Sequence, residues 1–245
     1  MMPRCAQPRY GRWPRFRKAT AGFGLWIAVV GIALASLPPV GPHAAPGGAP
    51  RAADDSAVRI LAFGDSLVAG YGLPKGAGLP AQLEQALRAR GWPVSVINAG
   101  VSGDTTAGGL SRLDWSLADG PDIVILALGA NDMLRGVDPG DSRANLDAML
   151  QRLKQANLPV LLVGMYAQRN LGPEYREAFE AIYPALAEKH DVPLMPFLLE
   201  GVAMEPALNQ DDGIHPNAVG VEVIVGNMLP YLTPLLERVV TKEQG

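Results

Sequence analysis

From residue 58 onward the chain alternates between two hydrophobic rhythms. Short, nearly continuous apolar runs occupy 58–63 (VRILAF), 94–99 (VSVINA), 122–129 (DIVILALG), 159–165 (PVLLVGM) and 192–197 (VPLMPF). Unbroken apolar runs of this length predict strands of a parallel sheet covered on both faces. Between them the apolar positions recur at helical spacing. Segment 79–91 keeps Leu83 and Leu87 in phase and ends on Gly91, a residue suited to a helix C-cap. Segment 141–157 starts at Asp141, a capping residue type, and aligns Leu146, Met149, Leu150 and Leu153 on one face. Segment 174–190 is a third helix that Pro184 should kink or divide, and an apolar helical stretch, 219–240, closes the chain. Strand–helix alternation predicts βαβ units, right-handed crossovers and a three-layer α/β/α sandwich with a five-stranded parallel sheet.

Ligands of such sheets bind beyond the carboxyl ends of the strands, and polar clusters stand at those ends. They are Gly64-Asp65-Ser66, the stretch Ala99 to Thr105, Gly129-Ala130-Asn131-Asp132, and Asp211-Asp212-Gly213-Ile214-His215-Pro216 after the fifth strand. Each alone reads as an ordinary turn or helix start, with Asp104 or Thr105 capping in the second. The histidines narrow the choice. His43 lies far upstream and His190 ends a helix, where an imidazolium meets the helix dipole. His215 remains, in a loop, three positions after Asp212. A serine needs a base to take its proton, and the base needs a carboxylate to orient its ring. One tight turn in Asp-x-x-His brings the two together; Asp211 is the less conveniently spaced alternative. Attack by Ser66 on an acyl carbon also creates an oxyanion. Its candidate donors are the backbone N–H groups of Ser66 and Gly103 and the side-chain amide of Asn131.

The first 18 residues change the picture of where the domain works. They hold six bases and no acid, and the uncharged stretch 19–37 follows, then Pro, Gly and Ala-rich sequence to about residue 56. That order predicts a secretory signal or an uncleaved membrane anchor at 1–37, a linker at 38–56 and one domain at 57–245. The domain is then exported, periplasmic or secreted, and an uncleaved segment would keep it near a membrane. Residues 19–245 keep 15 of the 21 bases and all 24 acids, a net charge of −9, which argues against a nucleic-acid partner. The only cysteine, Cys5, precedes the apolar run, so the domain has no disulfide, no thiol nucleophile and no cysteine metal site. With two histidines besides, it is expected to need no metal and no cofactor.

Four blocks in order, FGDSLVAGYG (63–72), NAGVSGDTTAGGL (98–110), LGANDMLRG (128–136) and DDGIHPN (211–217), resemble those of the SGNH hydrolases, the GDSL esterase/lipase superfamily. The likeness runs from about Val58 to the last helix and is greatest to the thioesterase I, lysophospholipase and arylesterase group. It implies the flavodoxin-like SGNH fold and hydrolysis of a small acyl ester, thioester or lysophospholipid through an acyl-enzyme. By position it implies Ser66 as nucleophile, Asp212 and His215 as the rest of a triad, and Ser66, Gly103 and Asn131 as oxyanion hole. Met133 stands where members often carry glycine, in a segment that is a mobile loop over the acyl site in the family. Asp65, Leu73, Asp104, Leu110, Met133, Leu134 and Tyr166 are the residues expected to contact substrate.

Other readings fit less well. A non-catalytic flavodoxin-like module would use Asp65 as an ion or phosphate site but has no need of Asp-x-x-His near its end. A metallophosphoesterase would draw on Asp65, Asn131 and His215, yet lacks the paired ligand motifs such sites use. A carbohydrate O-acetyl esterase of the same fold shares all four blocks.

Overall fold

The computed structural model describes residues 57–243. The predicted signal or anchor and the linker lie outside them. Five parallel strands, β1 (Val58–Gly64), β2 (Val94–Gly100), β3 (Ile123–Ala127), β4 (Val160–Val163) and β5 (Leu194–Met195), form one sheet in the order β2-β1-β3-β4-β5. This is the doubly wound arrangement in which the strand order reverses beside β1. Residues on β1 and β3 from Ile60 and Ile123 on are buried on both faces, as their unbroken apolar runs require. Register puts Gly64 beside both Gly100 and Ala127, so the carboxyl ends of three strands lie level.

The last strand is much shorter than its apolar run. Pro193 and Pro196 flank Leu194 and Met195, and a proline has no N–H for the ladder. Eight helices complete the described residues: α1 (Ser66–Ala69), α2 (Leu79–Arg88), α3 (Thr106–Leu117), α4 (Ala130–Leu134), α5 (Pro139–Gln155), α6 (Pro173–Glu180), α7 (Ile182–His190) and α8 (Ala218–Glu243). Helices α2 and α8 pack together on one face of the sheet; α3, α5 and α7 cover the other. Helix α8 is long and apolar enough to cross a membrane, yet it serves the core here: Val221, Ile224, Met228, Leu232 and Leu236 are all buried.

Three helix ends differ from expectation. The N-cap of α5 is Asp138, whose carboxylate accepts the Gly140 N–H at 2.7 Å, not Asp141, because Pro139 is pre-shaped for the first helical position. Helix α2 is capped at Ala89, two residues before Gly91. The expected break in the third helical segment falls at Ala181, since Pro184 has no N–H to give the Glu180 carbonyl one turn back. His190 is structural, as expected: it is buried, with Nε2 2.6 Å from the Asp147 carboxylate.

Candidate active site

Strand β1 delivers the chain to the sheet edge at Gly64, and the next residue, Asp65, caps α1. Its Oδ1 accepts the Leu67 N–H at 3.0 Å, which makes Ser66 the first residue of the helix. The helix sits directly on the end of β2. A Cβ on Gly100 would lie 2.2 Å from the Ala69 nitrogen, so β2 must end without a side chain for α1 to stand there.

The candidate base, His215, arrives from a distant part of the sequence in a closed loop. Asn209 and Pro216 form an antiparallel bridge, and the Gln210 N–H donates to the His215 carbonyl at 2.7 Å. Inside it, Asp212 Oδ1 accepts the N–H groups of Ile214 and His215, both at 3.0 Å, and Oδ2 lies 2.7 Å from His215 Nδ1. His215 Nε2 then lies 2.9 Å from Ser66 Oγ. The ring contact falls to Asp212 and not Asp211, which points into solvent. The hydrogen bond to His215, followed by the two backbone bonds, pulls the Asp212 carboxyl down to about 2. It is a fixed anion at any working pH. Two contacts that the sequence did not reveal brace the loop. The Gln210 amide donates to the Tyr71 carbonyl at 2.8 Å, and the Tyr71 ring lies 4.7 Å from the imidazole.

The other two candidate oxyanion donors come from two further segments. Val101 to Asp104 is a turn closed by the Asp104 N–H on the Val101 carbonyl at 3.1 Å, with Gly103 at φ +80°. That angle at the third position belongs to a type II turn and favours glycine. It leaves the Ser102–Gly103 peptide, and so the Gly103 N–H, outside the turn's own hydrogen bond. Asn131 stands in α4. Its neighbour Asp132 is buried and fixes that helix, accepting the Thr106 N–H at 2.8 Å, the Thr106 hydroxyl at 2.6 Å and the Ser142 hydroxyl at 3.2 Å. The Asn131 Nδ2 reaches Asp65 Oδ2 at 3.4 Å. Asp65 is 2% exposed, and burial raises its carboxyl to about 6 against the opposing pull of the Leu67 N–H, His215 and Asn131.

Ser66, Gly103, Asn131 and His215 all line one cavity of about 890 Å³. From this polar end it extends between apolar walls that include Met133, Leu134, Met165, Tyr166 and Phe197, the last two rings stacked at 4.5 Å. Of the residues expected to contact substrate, Met133, Leu134 and Tyr166 line this cavity and four others do not. Leu73 and Leu110 pack against the hydrophobic core, Asp65 is occupied with α1 and Asn131, and Asp104 is paired with Arg112 at 2.7 Å. The sequence reading missed Met165, at the end of the β4 run, and Phe197, at the end of the β5 run. Their place just past strand ends was the available signal.

With this geometry in view, the likenesses to known proteins fall into one group. The family profile of the GDSL-like lipase/acylhydrolase family matches residues 62–223. Esterase TesA of Pseudomonas aeruginosa is 41% identical over 182 residues, covering 74% of this chain and 90% of that protein. Thioesterase 1/protease 1/lysophospholipase L1 of Escherichia coli is 43% identical over 178 residues, covering 72% and 84%. Among solved structures, AlinE4, an SGNH-hydrolase family esterase, is 50% identical with a TM-score of 0.62, over 73% of this chain and 96% of that one.

Proposed function

The chain belongs to the GDSL-like lipase/acylhydrolase family and is a serine ester hydrolase, and we propose that Ser66 carries the acyl group in a covalent intermediate. The observation that supports this most directly is the unbroken relay of Asp212 Oδ2, His215 and Ser66 Oγ at 2.7 and 2.9 Å, opening into an apolar cavity.

Ser66 Oγ attacks the acyl carbon while His215 Nε2 takes its proton. Asp212 holds Nδ1–H and stabilises the imidazolium. The negative charge that collects on the former carbonyl oxygen meets the N–H groups of Ser66 and Gly103 and the Asn131 amide. The intermediate then expels the alcohol or thiol, which takes the proton back from His215. Water attacks the acyl-serine, His215 accepts its proton, and the carboxylic acid leaves as Ser66 is re-formed. The apolar walls favour esters and thioesters with an aliphatic or aryl acyl part, among them lysophospholipids, over small sugar acetates. The basic and apolar leader supports work outside the cytoplasm by a domain at 57–245.

The test is Ser66→Ala, assayed on p-nitrophenyl acetate through decanoate, an acyl-CoA and an acetylated sugar. The variant should fold, and kcat should fall by several orders of magnitude on every substrate the native protein cleaves. Near-native turnover by folded Ser66→Ala overturns the serine mechanism. A native preference for the sugar acetate overturns the substrate class alone.

A further inference from the structure

We infer that Arg112 is a positioning residue for the oxyanion pocket: its single guanidinium fastens the end of the nucleophile's strand to the end of β2 and to the last residue of the turn that presents the Gly103 N–H. The inference rests on the serine-hydrolase reading above.

Arg112 projects from α3 behind the cavity, which it does not line, and its side chain is only 18% exposed. All three of its nitrogens donate. Nη2 donates to the Gly64 carbonyl at 2.9 Å, one residue before Asp65-Ser66. Nη1 donates to the Ala99 carbonyl at 2.9 Å, where β2 leads into the oxyanion turn. Nε donates to Asp104 Oδ2 at 2.7 Å, on the last residue of that turn. The plane lies 4.0 Å over the Phe63 ring on β1.

The Gly64 carbonyl is shared: it also accepts the Val101 N–H at 3.0 Å, and Val101 is the turn's first residue. The last residue of the turn is therefore tied to the serine's strand through the guanidinium, and the first residue directly, at the same Gly64 carbonyl. Gly108 completes the clamp by leaving room for it. A Cβ there would overlap Asp104 Oδ1, so the carboxylate sits pressed against the start of α3. A planar fork with donors in three fixed directions does this; the single ammonium of lysine cannot reach all three acceptors in one geometry. Gly103 and Ser66 donate N–H groups to one developing charge, and a shift of about 1 Å between such groups costs up to ~10²-fold in rate. That dependence gives the clamp its place in the reaction.

An ion pair that only stabilised the fold would contain the same contacts, so the experiment separates the two roles. Arg112→Lys, Arg112→Met, Asp104→Asn and Ser66→Ala are compared with the native protein on p-nitrophenyl butyrate and its thiono analogue. In the thiono ester the charge develops on sulfur, a poor hydrogen-bond acceptor, so the ratio of oxo to thiono turnover reports how well the donors are placed. In folded Arg112→Lys and Arg112→Met, kcat on the oxo ester should fall about 10-fold or more with little change in KM. The oxo-to-thiono ratio should shrink in step. Asp104→Asn keeps the volume and Arg112 but weakens the clamp, so it should move both quantities the same way, and it decides the matter if the Arg112 variants do not fold. Unchanged kcat, or a loss that falls equally on both esters, overturns the inference. Activity surviving in Ser66→Ala overturns the parent reading instead.

Discussion

The Asp212 carboxylate carries two separable consequences. It holds the His215 ring through Nδ1 at 2.7 Å and supplies the charge that stabilises the imidazolium formed during the reaction, so a neutral amide there removes that charge. In Asp212→Asn kcat should fall by orders of magnitude, whereas Asp211→Asn should leave it near the native value. Steady-state kinetics of the two variants on one p-nitrophenyl ester checks this. The same carboxylate affects stability with a definite sign. Its folded pKa of about 2 lies below the ordinary 3.8, so its contribution is fully present above about pH 4 and is lost as pH falls toward 2. Unfolding curves of the native protein and Asp212→Asn should therefore converge across that interval. The juxtaposition of Ser66, His215 and Asp212 was legible in the sequence because the proposed chemistry restricts residue types: two histidines after residue 56, one with a carboxylate three places before it. The surroundings of Asp65 and Asp104 were not legible, because a carboxylate's employment depends on its partner. Those partners, Asn131 and Arg112, are fixed by tertiary structure and not by spacing.

Helix α1 is four residues long and has little stability of its own. Its position depends on what lies beneath it, and the contact with Gly100 tests that dependence. Gly100→Ala should push α1 and Ser66 away from the end of β2. Overpacking of this kind costs about 1–3 kcal/mol, which lowers Tm by roughly 2–12 °C in a domain of this size. The same substitution should depress kcat on p-nitrophenyl esters beyond what the stability loss explains, because the protein remains folded at assay temperature. Calorimetry paired with single-temperature kinetics measures both. At this scale the sequence was read well where apolar rhythm decides the outcome, as in β1, β3 and α5. It was read less well where proline sets the bounds, as at β5 and at the division between α6 and α7. The walls of the cavity were only half legible for a related reason. An apolar side chain at Leu73 or Leu110 satisfies the same pattern as one at Met165 or Phe197, and the rotation of the element alone decides whether it faces core or cleft.

Taken whole, the domain sets Ser66, Gly103, Asn131 and His215 in one recess together with apolar side chains such as Met133, Met165 and Phe197. Burying a methylene is worth ~0.8 kcal/mol, so kcat/KM should rise up to about 4-fold per added CH₂ along a p-nitrophenyl ester series until the chain fills the recess. A flat profile from acetate to decanoate would show that the recess does not hold the acyl chain. Among the described residues no group of three or more His, Cys, Asp or Glu is placed to hold a metal ion. Extensive dialysis against EDTA should accordingly leave activity intact, and a loss restored by Zn²⁺ would contradict that. One distance along the chain bears on how the molecule comes into being. Ser66 and His215 meet across 149 positions, the nucleophile emerging from synthesis among the first folded segments and the base just ahead of the terminal helix. Under the proposed mechanism a nascent or truncated chain that stops anywhere between them should hydrolyse no ester. Hydrolytic competence then begins only once His215 has been made and brought back to the first strand.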